Sequence, residues 1–203
     1  ESAFANQQEV VQNEKRQRVD NNPYGHTGWV IDKAIYPEGH PYNWQVIGEL
    51  VDLQSATVAD VREFYEKFYG PNNATLVLVG DFETDQAKAM IEKYFGEVKT
   101  GQEVPKLKPM RTTLEQSKRL YHEDNFATTA QLNMVWPTLE QYTDDAYALD
   151  VLAELMSRGK NAPLYKVLEK QKGLSSSYYS FNGSAELAGV FRVSITMYNF
   201  RFW

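Results

Sequence analysis

The chain has 203 residues, of which 42% are hydrophobic and 24% are charged, and its formal net charge is −6. This length suits one or two globular domains with a buried core, and the acidic balance argues against a nucleic-acid partner because no basic surface is indicated. The absence of cysteine excludes a disulfide framework, a thiolate zinc site and a cysteine nucleophile.

The first predicted element is a helix over residues 3–20, where good helix formers run without proline or glycine. The helix ends near Asn22, because the residue before Pro23 disfavours the α conformation. A second, short helix is predicted over residues 26–35. Residues 36–44 form a loop, since prolines and a glycine interrupt this stretch.

A capping-box pattern follows, in which Thr57 is succeeded three residues later by Asp60. It predicts the start of a helix with one apolar face. The apolar residues of this face are Val58, Val61, Phe64, Tyr65 and Phe68. Residues 74–80 (ATLVLVG) predict a buried strand, and the apolar spacing after them predicts another helix that ends at a Gly96 cap.

Residues 101–114 are the predicted linker. This stretch is polar and contains Gly101, Pro105 and Pro109, and Gly96 lies shortly before it. Further strands and helices follow it. The strands are predicted over residues 117–122, 128–135, 175–182 and 188–197, and the helices are predicted to begin after Thr143 and to span residues 162–171. Helices and strands in this order indicate an α+β or α/β protein.

The three histidines are His26, His40 and His122, and no two of them are four residues apart. The chain therefore contains neither an H-E-x-x-H nor an H-x-x-E-H zinc helix, and we interpret all three as surface or loop histidines. The phosphate-binding P-loop, the dinucleotide-binding glycine pattern and the serine nucleophile elbow are also missing. Spacing alone thus assigns no chemistry to this chain.

Taken together, several segments resemble the pitrilysin/insulinase family of zinc peptidases, the inverzincins. In the first half these are residues 9–25, 36–83 and 94–98; in the second half they are residues 129–137, 144–168 and 185–195. The resemblance covers nearly the whole chain, and the order and spacing of the segments are more specific than any one segment.

The resemblance implies an α+β fold in which helices pack on one face of an antiparallel sheet, a unit that occurs twice in the family. Residues 1–100 would be the later half of the first, zinc-bearing repeat. Residues 101–114 would be a linker, and residues 115–203 the early half of a second, catalytically silent repeat. Both ends of the chain are accordingly expected to be interior to a longer protein.

The resemblance also implies a role for Glu14. In the family, H-x-x-E-H supplies two zinc ligands and a general base, and a glutamate on a later helix is the third ligand. Glu14 occupies that segment here. Gln7, two helical turns earlier, stands where some members have another acid, and it is a candidate to hydrogen-bond a ligand or water. Because H-x-x-E-H would precede residue 1, we expect this chain alone to bind no zinc and to be inactive.

The resemblance therefore favours a fragment of a zinc metalloendopeptidase that hydrolyses peptide bonds with a zinc-activated water. The alternatives are a non-catalytic subunit or lobe that binds a partner and encloses substrate, and an unrelated α+β binding module. The expected partners are a peptide or unfolded polypeptide substrate and a second copy or paired subunit. Family analogy allows a bacterial periplasmic or membrane-associated protein without fixing the compartment.

Overall fold

The computed structural model describes residues 2–198, which divide into two compact units. The first unit comprises Val51–Lys106 and the chain up to Gln7; the second comprises Gln8–Leu50 and the chain from Leu107 onward. The helices are α1 (Ser2–Lys15), α2 (Thr27–Ile35), α3 (Leu50–Ser55), α4 (Val58–Phe68), α5 (Thr84–Phe95) and α6 (Asp144–Ser157). Over residues 2–198, none of them combines the length and the apolarity that crossing a membrane would need.

The second unit contains an antiparallel sheet of β1 (Gln131–Thr138), β2 (Ser177–Ser184) and β3 (Gly189–Thr196), with β3 in the centre. The three strands confirm the predictions over residues 128–135, 175–182 and 188–197 with small shifts of their ends. Together with the helices they confirm the α+β class and the antiparallel sheet.

Helix α6 packs against this sheet and forms a hydrophobic core with it. Ala153 of α6 meets Phe191, Val193 and Ile195 of β3, and Val193 is only 1% exposed. The helix begins where Thr143 predicts it, because the Thr143 hydroxyl oxygen accepts a hydrogen bond from the Ala146 amide at 3.3 Å. The core of this unit therefore lies between α6 and β3.

Helix α4 of the first unit confirms the predicted capping box. The Thr57 hydroxyl accepts from the Asp60 amide at 3.3 Å, and the Asp60 carboxylate accepts from the Thr57 amide at 2.7 Å. Helix α5 ends at Gly96 as predicted, but Gly96 has a φ of −61° and keeps the right-handed conformation. The left-handed conformation that favours glycine is therefore not adopted, although a Cβ at this position would lie 2.5 Å from the Glu92 carbonyl oxygen.

Two strand predictions are wrong. Residues 74–80 and 117–122 form no strand, and most of their side chains are exposed, with Val79 at 88%. The apolar and β-branched composition predicted burial, but a strand is stable only beside another strand that satisfies its amides and carbonyls. Among the described residues of the first unit there is no strand that could pair with residues 74–80.

The remaining predictions concern helix ends. The predicted helix over residues 3–20 is α1 followed by a π-helical turn at Arg16–Asp20, and the helix over 26–35 is α2. Residues 162–171 contain a second π-helical segment, Tyr165–Gln171. The apolar pattern did not reveal α3, which has only six residues.

Candidate functional site

Glu14 lies in the last turn of α1. Its carboxylate forms an ion pair with the Arg18 guanidinium, four residues later, at 2.8 Å, and the Glu14 side chain is 36% exposed. An ion pair at such a solvent-accessible position contributes roughly 0–1 kcal/mol. The carboxylate is therefore held by a weak, exchangeable partner.

The residue after Glu14 anchors this end of the helix. Lys15 is buried, and its ammonium lies 3.7 Å from the Glu49 carboxylate. The same carboxylate accepts a hydrogen bond from the Trp29 indole of α2 at 3.0 Å. Glu49 thus connects the end of α1, next to Glu14, with α2.

Two of the predicted loop histidines lie close together next to the π-helical turn. The rings of His26 and His122 are 5.6 Å apart, and the His26 Nε2 atom is 3.8 Å from Asp20. Asp124 holds the second loop in place, because its carboxylate accepts hydrogen bonds from backbone amides that include that of Tyr24 at 2.8 Å.

These groups do not amount to a zinc site. Within residues 2–198, no three histidine, aspartate or glutamate side chains are placed so that they could hold a metal ion together. A hydrolytic zinc needs three protein ligands, of which Glu14 would supply one. The described part of the chain therefore does not fit zinc by itself. Gln7 lies on the exposed surface of α1, and the roles of Glu14 and Gln7 stay predictions.

His40 lies in a loop, one of the two settings expected for it, but it is buried and does not lie at the surface. Its ring is 3% exposed and stacks on Tyr36 with 4.6 Å between ring centroids. The Tyr42 amide donates to His40 Nδ1 at 3.0 Å, so Nε2 carries the proton and donates to the Met110 carbonyl at 2.8 Å. His40 thereby joins residues 36–44 to the stretch before Arg111.

Burial perturbs two acids beside this loop. It raises the pKa of Tyr36 to about 12, with smaller contributions from the charge of Asp32 and from Tyr42. Burial also raises the pKa of Asp32, while a hydrogen bond from the Gln45 amide and the charge of Arg192 oppose the change. The C-terminal half of α2 is consequently a sparsely solvated environment for titratable groups.

Arg111 and Glu140 form a two-pronged ion pair in the second unit. The guanidinium Nε and Nη2 atoms donate to the two carboxylate oxygens at 2.6 and 2.8 Å. These hydrogen bonds lower the pKa of Glu140 to about 2, and they raise the pKa of Arg111. The charge of Arg111 is therefore matched by its partner.

The family described as "Peptidase M16 inactive domain" matches residues 55–199. The chain is also 28% identical over 195 residues to the "Zinc protease PqqE" of Helicobacter pylori, a match that covers 94% of this chain and 43% of that protein. It is 25% identical over 161 residues to the "Probable inactive metalloprotease YmfF" of Bacillus subtilis, covering 75% of this chain and 35% of that protein. The chain thus spans less than half the length of these curated relatives.

Solved structures agree with these matches. A protease from Helicobacter pylori superposes with a TM-score of 0.82 and 26% identity, over 98% of this chain and 48% of that one. A peptidase M16 inactive domain from Pseudomonas fluorescens superposes with a TM-score of 0.78 over 97% of this chain and 47% of that one, at 18% identity. The second likeness concerns the fold alone.

Proposed function

The chain belongs to the peptidase M16 inactive-domain family, and we propose that it is part of a zinc metalloendopeptidase that hydrolyses peptide bonds of polypeptides. The main support is the match along 94% of the chain to a relative named as a zinc protease. The bond would be cleaved by a zinc-activated water, and this chain alone would be inactive because it supplies one ligand at most.

In this proposal Glu14 is the third zinc ligand. Its position in the last turn of α1 supports the role, because the neighbouring Lys15 is buried beside Glu49, and Arg18 is the one ion-pair partner of the Glu14 carboxylate among the described residues. Gln7 would hydrogen-bond a ligand or water near the metal. The two histidine ligands and the general base would come from the part of the parent protein that corresponds to H-x-x-E-H.

The proposed domain organisation follows the sequence resemblance. Residues 1–100 belong to the zinc-bearing repeat, residues 101–114 are the linker, and residues 115–203 begin the silent repeat. The structural relatives are themselves about twice as long as this chain. We therefore propose that the chain functions with a paired lobe or subunit, and that peptides or unfolded polypeptides are the substrate.

A second candidate function is a non-catalytic lobe of the same family, which would bind a partner and enclose substrate. Two observations favour it: the matching family is described as an inactive domain, and one relative is named a probable inactive metalloprotease. In this case Glu14 would be an ordinary surface acid paired with Arg18.

The two functions can be separated in the longer parent protein with the variant Glu14→Gln. If Glu14 is a ligand, the variant loses bound zinc, measured by mass spectrometry of the metal, and loses peptidase activity with it. The matched control is Glu9→Gln, an exposed acid on the same helix, which should change neither. Full zinc content in Glu14→Gln would remove Glu14 from the site, and a zinc-free parent would favour the non-catalytic lobe.

A further inference from the structure

An open cleft of about 910 Å³ lies beside the C-terminal end of α2 in the second unit, and its wall is rich in cations. Lys33, Arg111 and Lys118 line it, and Glu38 is the one acid among the described lining residues. Because Glu140 pairs with Arg111, the two lysines and Glu38 leave an excess of one positive charge. The chain as a whole carries a net charge of −6. A local excess of positive charge on an acidic protein favours an anionic ligand.

Neutral oxygen atoms hold the two lysines of this cleft. The Lys33 ammonium donates to the side-chain oxygen of Asn43 at 2.9 Å, and Asn43 is itself buried and donates to the Tyr36 carbonyl at 2.6 Å. The Lys118 ammonium donates to the Ala34 carbonyl at 2.7 Å. Each ammonium is thus positioned by one hydrogen bond to an uncharged acceptor, which leaves two further N–H donors.

Arg111 differs from the lysines, because Glu140 already matches its charge. The ion pair with Glu140 holds the start of residues 111–118, the second segment that lines the cleft besides residues 33–44. The next residue, Thr112, also lines the cleft, and its hydroxyl oxygen is buried without a hydrogen-bond partner in the described part of the chain. A buried hydroxyl without a partner is unusual in a folded protein, but this oxygen has almost no accessible surface, so it is not offered to a ligand in the cleft.

Apolar side chains complete the lining. Trp44 is 51% exposed, and Leu114 lies in the same cleft. An aromatic ring with half its surface in water favours contact with an apolar group. A ligand that fits both features carries a carboxylate next to an apolar side chain.

We propose that this cleft binds an acidic peptide, with a peptide carboxylate between the Lys33 and Lys118 ammonium groups and an apolar residue against Trp44. A chain segment suits the cleft better than a small inorganic anion, because the cleft is open and its lining is partly apolar. The inference concerns the second unit alone and does not depend on zinc or on the proposed catalytic role. Its test therefore needs no peptidase activity.

The test measures fluorescence anisotropy with a fluorescein-labelled, C-terminally amidated peptide of alternating Glu and Leu. A second peptide has Gln in place of every Glu. We expect tighter binding of the Glu peptide and a decline with added salt, since exposed charges are screened. Equal affinity for the two peptides would overturn the proposal. Tighter binding of a Gln peptide with a free C-terminus than of its amide would identify the terminal carboxylate as the group that the cleft recognises.

Matched variants locate the binding. The double variant Lys33→Gln/Lys118→Gln should bind the Glu peptide about tenfold more weakly, the effect expected from losing two solvent-exposed ion pairs. Lys33→Arg/Lys118→Arg keeps the charge and should keep most of the affinity. The control Lys160→Gln/Lys172→Gln makes the same change in net charge at exposed lysines outside the cleft, and it should bind as the parent does. An equal loss in this control would refute a cleft-specific site, and circular dichroism would verify that each variant is folded.

Discussion

His40 is the residue whose replacement should reveal how the loop over residues 36–44 is held. His40→Ala removes the donor to the Met110 carbonyl and the acceptor of the Tyr42 amide. It also removes the ring that stacks on Tyr36. The loop and the segment that leads to Arg111 would then lose their direct connection through this side chain.

The expected cost follows from these contacts. Each of the two hydrogen bonds contributes about 1 kcal/mol, and an aromatic pair contributes about 0.5–1.5 kcal/mol beyond its buried area. The empty volume left by a ring that is 3% exposed adds to this. We therefore expect His40→Ala to lower the free energy of unfolding by at least about 3 kcal/mol.

Urea unfolding followed by circular dichroism measures this difference, with His122→Ala as the matched control. His122 is also a loop histidine, but its side chain is exposed, and its ring lies beside that of His26. Its replacement should change the free energy of unfolding by less than about 0.5 kcal/mol. A His40→Ala variant as stable as the parent, or an equally large effect at His122, would refute the assignment of His40 as a structural anchor.

Two further predictions concern the second unit. Burial raises the pKa of Tyr36 to about 12 from 10.0, so between these pH values the unfolded chain has lost a proton that the folded chain keeps. The free energy of unfolding should then fall as the pH rises through this window, by up to about 1.4 kcal/mol per pH unit. Urea unfolding at pH 10–12 should show a shallower fall of this free energy in Tyr36→Phe. Identical pH profiles for the variant and the parent would contradict the reasoning. In the core, Ile195→Ala should cost about 3 kcal/mol because Ile195 is buried. Its neighbour across the strands, Leu132, is half exposed, so Leu132→Ala should cost roughly 1 kcal/mol, and equal costs would contradict the burial argument.

Local signals in the sequence predicted those parts of the fold that local interactions determine. Thr57 and Thr143 mark helix starts because their hydroxyl groups bond to amides three residues away. The strands β1, β2 and β3 were predictable because their alternating or apolar side-chain patterns are typical of strands that bury one face or both.

Long-range contacts determine the rest, and no local pattern contains them. His40 is buried by contacts with a segment distant in sequence. Its Nε2 atom lies 2.8 Å from the carbonyl oxygen of Met110, which is 70 residues later in the chain. Residues 74–80 have the composition of a buried strand, but their state depends on a neighbour that the described part of this unit does not provide. The role of Glu14 likewise depends on ligands distant in sequence, so only the family resemblance suggests it.

The exposed stretch over residues 74–80 has a consequence for the behaviour of the chain in solution. It is uncharged, contains no proline and is rich in leucine and valine, which is the composition of segments that form cross-β fibrils. No charged gatekeeper residue interrupts it between Ala74 and Gly80. A neighbouring strand or surface that covered this stretch would therefore also protect it from amyloid-like self-association.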